Sequence, residues 1–426
     1  MADIIELQHR ASLGEAEAQF ALGNAYQLGL SGCQQDLALA EKWYRAAALQ
    51  NHAESMLNIG VLHISTIPAA GGKKDALEAC KWFEAAAAQG NSQAMLFLGK
   101  VFLTGNGIAP DIANAIRWYE RSARAGNGEA WNQLGIMSEH GQGVPLDARR
   151  ASEQYLRGAQ AGNRDAQYNV GRCLLLGIGS TSEPFAAAGW LRAAAEQGLR
   201  DAQYNLAILL LEGRGVARDE AEALRLLIQS GSQGLARAQH EAGVSLRTGR
   251  GTAIDPVEAL RWYLQAARQG LREAQYAVAK MAEHGEGLDQ GDPIAAAQWY
   301  TQAAMQGHAG AAHNLGILYA KGIGVEQDGG TARELFELAI SEGANDAFFS
   351  LGLLLLNSSR NLAQDIETAA VYGLLAMQYD PAGQGAKLVE ITGRALSPEQ
   401  LASATTRAAA WKRAPKTVAW MKGPAT

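Results

Sequence analysis

The chain lacks a run of positive charge. Its 37 basic and 43 acidic residues are interspersed, and the formal net charge is −6. Phosphate backbones are held mainly by clustered Lys and Arg, so nucleic acid is not an expected partner. Cysteine is equally scarce. Cys33, Cys80 and Cys173 form no CxxC and no evenly spaced set. An odd, sparse count points to reduced thiols rather than a disulfide framework. No run of 18 apolar residues occurs, so no membrane-spanning helix is expected. The opening MADIIELQHRASLGEAEAQ carries acids and no apolar segment of the kind that a secretory signal needs. A soluble, cytoplasmic protein is the expectation.

Catalytic signatures are missing too. HExxH, GxxxxGK[ST], GxSxG and SxxK do not occur. The eight histidines are His9, His52, His63, His140, His240, His284, His308 and His313, and no two stand at i, i+4 with a carboxylate partner. No metal, no cofactor and no enzymatic activity are expected. Cys80 and Cys173 fall inside predicted helices, where a thiol usually acts as a small hydrophobe. The chain does contain glycine-rich turns, but they stand between helices. A phosphate-binding loop needs a strand before it.

What the chain has is repetition. RDAQYNV at 164–170 returns as RDAQYNL at 200–206. Small residues mark the same point at Gly23, Gly60, Gly99, Gly135, Gly171, Ala207, Gly243, Ala279, Gly316 and Gly352. Most steps are 36 residues, as the positions show. A bulky residue follows each: Trp43, Trp82, Trp118, Tyr155, Trp190, Leu226, Trp262, Trp299, Phe336 and Tyr372. A fixed period of this length signals a solenoid of stacked units.

Each unit reads as helix A, a glycine turn and helix B. The turns include GNGIAPD (105–111), GQGVPLD (141–147), GRGVARD (213–219) and GIGVEQD (322–328). Glycine permits positive φ at the reversal, and the closing Asp is placed to cap helix B. Helix B then shows apolar residues at i, i+3, i+4 and i+7, as in ANAIRWYERSARAGN (113–127). The small residue in helix A lets helix B approach, and the Trp of helix B fills the space between neighbouring units. Ten units span 16–380. Residues 1–15 read as an N-terminal capping helix. Residues 381–426 read as a C-terminal capping helix and tail, with Ser397, Pro398 and Gln400 forming a helix start and capping box. The tail VAWMKGPAT (418–426), with Trp420 and Met421, is expected to fold back on the cap. Four units depart from the pattern. The second has a longer, irregular turn, ISTIPAAGGKKD (64–75), whose Lys73 and Lys74 make it the best loop contact for a partner. The fifth loses the Asp, in GIGSTSEP (177–184). The sixth replaces both Gly and Trp, and the tenth has NSSRNLAQD (357–365) without glycines.

These residues resemble the Sel1-like repeat family, relatives of the tetratricopeptide repeat. The pattern A-x-x-x-L-G, G-x-G-V-x-x-D, A-x-x-W-Y-x-x-A-A-x-Q-G stands nearly complete in AAHNLGILYAKGIGVEQD (311–328) and ALRWYLQAARQG (259–270). The resemblance implies an all-α, right-handed superhelical solenoid that acts as a protein-interaction scaffold. It implies roles in bacterial signalling, envelope and secretion pathways, toxin–immunity pairs or eukaryotic quality control. A dedicated inhibitor or immunity protein is the most specific variant. A groove-based small-ligand binder or hydrolase, and a self-associating structural protein, are the alternatives.

In the tetratricopeptide layout helix A lines the concave face. With the Ala of the pattern third and the Gly eighth, positions 2, 5, 6, 9 and 12 point inward. The resemblance thus implies a partner-binding set of Asn132, Gln133, Tyr168, Asn169, Arg172, Tyr204, Asn205, His240, Glu241, Tyr276, Lys280, His313 and Asn314. Position 12 adds Glu139, Arg247 and Glu283. Asn offers a donor and an acceptor to a peptide backbone, and Tyr adds apolar area with a polar end. The same residues also suit packing between adjacent A helices.

Overall fold

A computed structural model describes residues 4–70, 73–105, 107–380 and 383–416. The chain divides into two compact units, Met1–Arg218 and Asp219–Thr426. In the N-terminal unit α1 (Ile4–Ser12) leads. The A–B pairs follow: α2 (Ala16–Leu28) and α3 (Leu37–Ala48), α4 (Ala53–Ala70) and α5 (Lys73–Ala88), α6 (Ser92–Thr104) and α7 (Ile112–Arg124), α8 (Gly128–His140) and α9 (Ala148–Gln160), α10 (Arg164–Leu176) and α11 (Pro184–Glu196). The A helix α12 (Arg200–Glu212) ends this unit.

The C-terminal unit opens with α13 (Glu220–Ser232). It continues with α14 (Ala236–Thr248) and α15 (Pro256–Arg268), α16 (Arg272–His284) and α17 (Pro293–Met305), α18 (Ala309–Lys321) and α19 (Gly329–Ser341), α20 (Asp346–Leu356) and α21 (Ile366–Tyr379). Two more helices close it, α22 (Gly385–Ala395) and α23 (Pro398–Ala410). Among the described residues every regular element is a helix. The one β-bridge, Ser359 with Leu362, lies inside a turn. Within each unit, through α22, every helix packs on the next in sequence. The buried residues of the N-terminal unit form several small clusters, as expected where each repeat meets only its neighbours.

The small residue of helix A answers to a ring on helix B. A Cβ on Gly135 would stand 2.5 Å from the Tyr155 ring, and one on Gly23 equally close to Tyr44. Phe83, Tyr119, Tyr263 and Phe336 face Gly60, Gly99, Gly243 and Gly316 in the same way. The bulky landmark therefore comprises two adjacent slots. Tyr155 and Phe336 belong to the glycine-facing slot, and Tyr372 keeps that register although Leu388 of α22 is what faces Gly352; the tryptophans stand one residue earlier. From there Trp82 receives Arg45 of the preceding B helix over its ring at 5.3 Å. Trp262 abuts Gly231 of α13. The tryptophans do span neighbouring repeats, as expected, while the fully buried ring seals the pair itself.

The turn chemistry follows the pattern. Asp36, Asp111, Asp147, Asp219, Asp255, Asp292, Asp328 and Asp365 each cap a B helix through a backbone N–H two or three residues on. Glu183, which replaces Asp in the fifth repeat, makes no side-chain cap bond; Pro184 opens that helix instead. The first turn glycine ends helix A in the left-handed region, as at Gly141 (φ 67°). The second has another task. A Cβ on Gly179 would collide with the Ala148 carbonyl at the start of the preceding B helix.

The second repeat departs from expectation. Residues 64–75 are not a long loop, because α4 runs to Ala70 and α5 begins at Lys73. The turn glycines come only at 71–72, and α4 runs on through Pro68 before them. Lys73 and Lys74 open α5. The tenth turn has lost its glycines but keeps its docking. Gly329 now supplies the space, on the helix side, and its N–H donates to the Arg360 carbonyl at 2.6 Å.

The ends are closed by extra helices. Ala11 of α1 packs with Ala18 and Leu22. Ser397 and Gln400 form the full capping box of α23, with Pro398 at its first position. Trp411 meets Phe348 edge-on at 5.1 Å and Tyr379 at 5.7 Å. The 418–426 segment, with Trp420 and Met421, lies outside the described residues.

Candidate functional site

The A helices carry the sequence-predicted set in two groups, one in each unit. In the N-terminal unit Asn132 is buried, and its Oδ1 accepts from Asn169 Nδ2 at 2.9 Å. This bond crosses from α8 to α10. Arg172 reaches back the same way and donates to both oxygens of Glu139, at 2.7 and 2.6 Å. Tyr155 donates its hydroxyl to Glu139 at 2.6 Å. Burial opposes ionisation of Glu139, but the bonds from Arg172 and Tyr155 outweigh it and hold the carboxyl below its usual range. The Arg172 guanidinium is correspondingly held more firmly charged. Gln133, Tyr168, Tyr204 and Asn205 are half-buried.

In the C-terminal unit the aromatic residues form their own cluster. Tyr276 stacks on His308 at 4.2 Å, and its ring centroid lies 5.9 Å from that of Tyr300. Tyr300 donates to Glu283 at 2.6 Å and accepts from Asn314 at 3.0 Å. His313 is buried between Ser350, at 2.8 Å, and Asp346, at 3.1 Å. The His313 contact holds the Asp346 carboxyl low. His240 meets Glu241 at 3.1 Å and leans on the Tyr263 ring. Lys280 is half-buried.

Much of the set is therefore engaged in holding adjacent A helices together. Asn132, Asn169, Arg172, His313 and Asn314 spend hydrogen bonds on neighbours. Accessible area on this face remains on Gln133, Tyr168, Tyr204, Asn205, Glu241, Tyr276 and Lys280, and in part on Asn169, Arg172, His240 and Asn314.

A second polar device, unread from the sequence, runs through the interior. Gln19, Gln167, Gln203, Gln239 and Gln275 are buried at position 4 of their A helices. Each donates to a carbonyl eight residues earlier, at the end of the preceding helix: Ala11, Ala159, Ala195, Gly231 and Ala267. The Gln of the Gln-Gly ending, or Gln50 in the first repeat, then donates to the buried one. Gln50 reaches Gln19, Gln197 reaches Gln167, Gln269 reaches Gln239 and Gln306 reaches Gln275, at 2.7 to 2.9 Å. The recurring spacing of 30–31 residues between the two glutamines was the available signal. These residues satisfy helix-end carbonyls.

Burial pushes the Cys80 and Cys173 thiols up to about 11, so both stay protonated at neutral pH. Among the described residues no group of three His, Cys, Asp or Glu side chains could hold a metal ion. No described helix is long and apolar enough to cross a membrane.

Fold and face together define an all-α solenoid of helix-pair repeats with a polar, aromatic A-helix surface. A family model described as Sel1 repeat matches nine consecutive segments: 16–52, 53–91, 92–127, 129–163, 164–199, 200–235, 236–271, 272–308 and 309–343. The chain belongs to the Sel1 repeat family. The matches stop before α20 and α21, a tenth helix pair that lacks the glycine turn. Among solved structures, the chain is similar to a protective antigen of uropathogenic Escherichia coli with an SLR fold. That likeness has 27% identity and a TM-score of 0.62, covering 96% of this chain and 94% of the other. It is also similar to a Sel1 repeat protein from Oxalobacter formigenes, at 30% identity and a TM-score of 0.52, covering 74% of this chain and 90% of the other. No curated protein matches. Sel1 repeat proteins generally mediate protein–protein interaction.

Proposed function

We propose that the chain is a non-enzymatic adaptor that holds a protein or peptide partner on its A-helix face. The observation that carries this is the paired row on α10 and α12. Tyr168–Asn169 and Tyr204–Asn205 occupy the same register in successive A helices and remain half-buried. A Tyr offers a large rigid contact with a polar end, and an Asn beside it can bond an extended backbone. The general role of Sel1 repeats supports the same reading. The three free cysteines fit a reducing compartment, which supports a cytoplasmic location. One form of the adaptor is a dedicated inhibitor or immunity protein, whose partner is an enzyme that loses activity on binding.

Affinity capture tests the reading. Wild-type chain is compared with a Tyr168→Ala/Tyr204→Ala variant whose circular dichroism and melting match the wild type. The expected result is a partner retained by the wild type, lost by the variant and reconstituted from purified components. A partner held equally by both proteins would move the interface off this row. An enzyme partner inhibited on reconstitution would establish the inhibitor form.

A further inference from the structure

Between α18 and α20 the A-helix face changes character. In the fourth and eighth repeats a tyrosine hydroxyl and a carboxylate fill the space beside the buried ring, as Tyr155 with Glu139 and Tyr300 with Glu283. In the ninth repeat both polar groups vanish together. Phe336 stands in the ring slot and Ala320 in the carboxylate slot. What remains is an open cleft of about 430 Å³. Ile317, Ala320, Phe336, Leu353 and Leu354 form its apolar side, and Ser350 also lines it. Leu353 is 41% exposed.

The rim has a different chemistry. Lys321, at the end of α18, lines the cleft and forms no ion pair with a described residue. Ser359, from the glycine-free tenth turn, has a buried hydroxyl with no partner among the described residues. No acidic side chain lines the cleft. The surrounding amides are fixed already, because Gln327 donates to the Ala320 carbonyl at 2.9 Å and Asn357 to the Leu353 carbonyl at 3.1 Å. The opening is therefore pre-shaped, which lowers the ordering cost of binding.

We propose that this cleft seats the C-terminal residue of a partner polypeptide. An aliphatic or aromatic side chain enters the apolar slot, and the α-carboxylate pairs with the exposed Lys321 at the rim. A carboxylate accepts from the Lys321 ammonium, and charge-assisted bonds of this kind are the strong ones. An Asp or Glu side chain would supply the charge without the apolar group. A chain-terminal Leu, Ile, Val or Phe carries both on one carbon. The volume falls in the usual range for ligand sites and suits one or two residues. This deepens the adaptor reading and rests on it for the class of partner.

The test is fluorescence anisotropy with the full chain and a labelled glycine–serine hexapeptide ending in leucine. The free acid is compared with the C-terminal amide. The free acid is expected to bind at least about tenfold more tightly than the amide. Lys321→Met should erase that difference. Leu353→Glu, at an exposed position where folding is not threatened, should weaken the free acid most. Ala320→Leu should weaken both peptides by filling the slot. Equal binding of acid and amide would overturn the proposal, as would no binding at about 1 mM peptide. Octanoate binding as tightly as the peptide would overturn it too, by assigning the site to a free aliphatic acid. Capture through the Tyr168–Tyr204 row is measured in parallel. If the peptides fail while capture through that row persists, this site falls and the adaptor reading stands.

Discussion

Tyr155 and Glu139 are joined by a 2.6 Å hydrogen bond that ties helix B of the fourth repeat to its own helix A. Arg172 of the fifth repeat closes on the same carboxylate. One side chain thus links two repeats, and neither of its partners is well exposed. Glu139→Ala should destabilise the chain by about 1–3 kcal/mol, because it leaves a guanidinium and a hydroxyl unpaired in a partly buried place. Urea denaturation reads this, and Arg172→Ala combined with Glu139→Ala should cost less than the two single changes summed. The carboxyl is held low in the folded state. Its contribution is therefore present above the unfolded glutamate value of about 4.3 and is lost as pH falls through the folded one. Glu139→Gln should flatten the acid limb of the stability curve.

Tyr119 is the counter-example. It fills the same slot against Gly99, but its buried hydroxyl has no partner among the described residues. Leu103 occupies the place that Glu139 takes in the next repeat and packs against the same cluster. Tyr119→Phe should be neutral or stabilising, by up to about 1 kcal/mol, since it removes an unsatisfied polar atom. Tyr155→Phe should destabilise by a similar amount. Opposite signs for two chemically identical substitutions, measured by thermal melts, are the expected outcome. A loss at Tyr119 as large as that at Tyr155 would contradict it.

The period, the A–B grammar, the Asp caps and the Ser397 start were legible because each rests on local chemistry at a fixed offset. Two features were not. The Trp slot and the ring slot adjoin, and a bulky residue in either keeps nearly the same spacing; only the three-dimensional approach to Gly135 or Gly316 separates them. The buried glutamines looked like surface residues because glutamine usually is one. Their partners are carbonyls eight residues back and a second glutamine 30–31 residues on, and neither bond leaves an apolar signature. On the A-helix face the residue types were readable, but their engagement was not. Asn132 and Tyr168 hold the same position in successive repeats, yet one is sealed beneath Asn169 and the other keeps open area.

The glutamine relay makes its own prediction. Gln239 is 4% exposed, donates to the Gly231 carbonyl at 2.8 Å and accepts from Gln269 at 2.7 Å. Gln239→Leu keeps the volume but strands a helix-end carbonyl and an amide. The expected cost is about 1–3 kcal/mol. Gln269→Leu, which removes the outer member alone, should cost less. Hydrogen exchange at the end of α13 should rise in the first variant, because Gln239 holds the Gly231 carbonyl there. A neutral Gln239→Leu would show that water replaces the amide without loss.

His308 gives the chain a pH dependence of definite sign. Its Nδ1 accepts from the Ala311 N–H at 3.1 Å and so caps α18, a task only an unprotonated nitrogen can perform. Burial beneath Tyr276 lowers its pKa; Glu273 opposes that shift and Arg272 adds to it. A histidine whose folded value lies below the unfolded one of about 6.5 stabilises fully above that value. The contribution is lost as pH falls toward the folded one. Asn91, Asn127 and Asn163 cap the corresponding A helices of other repeats without titrating. His308→Asn should therefore keep the cap and remove this part of the acid sensitivity. Melting temperatures of the two proteins should agree at pH 8 and diverge below pH 6.5, with the variant the more stable. Parallel curves over that range would mean that the His308 proton does not govern the cap.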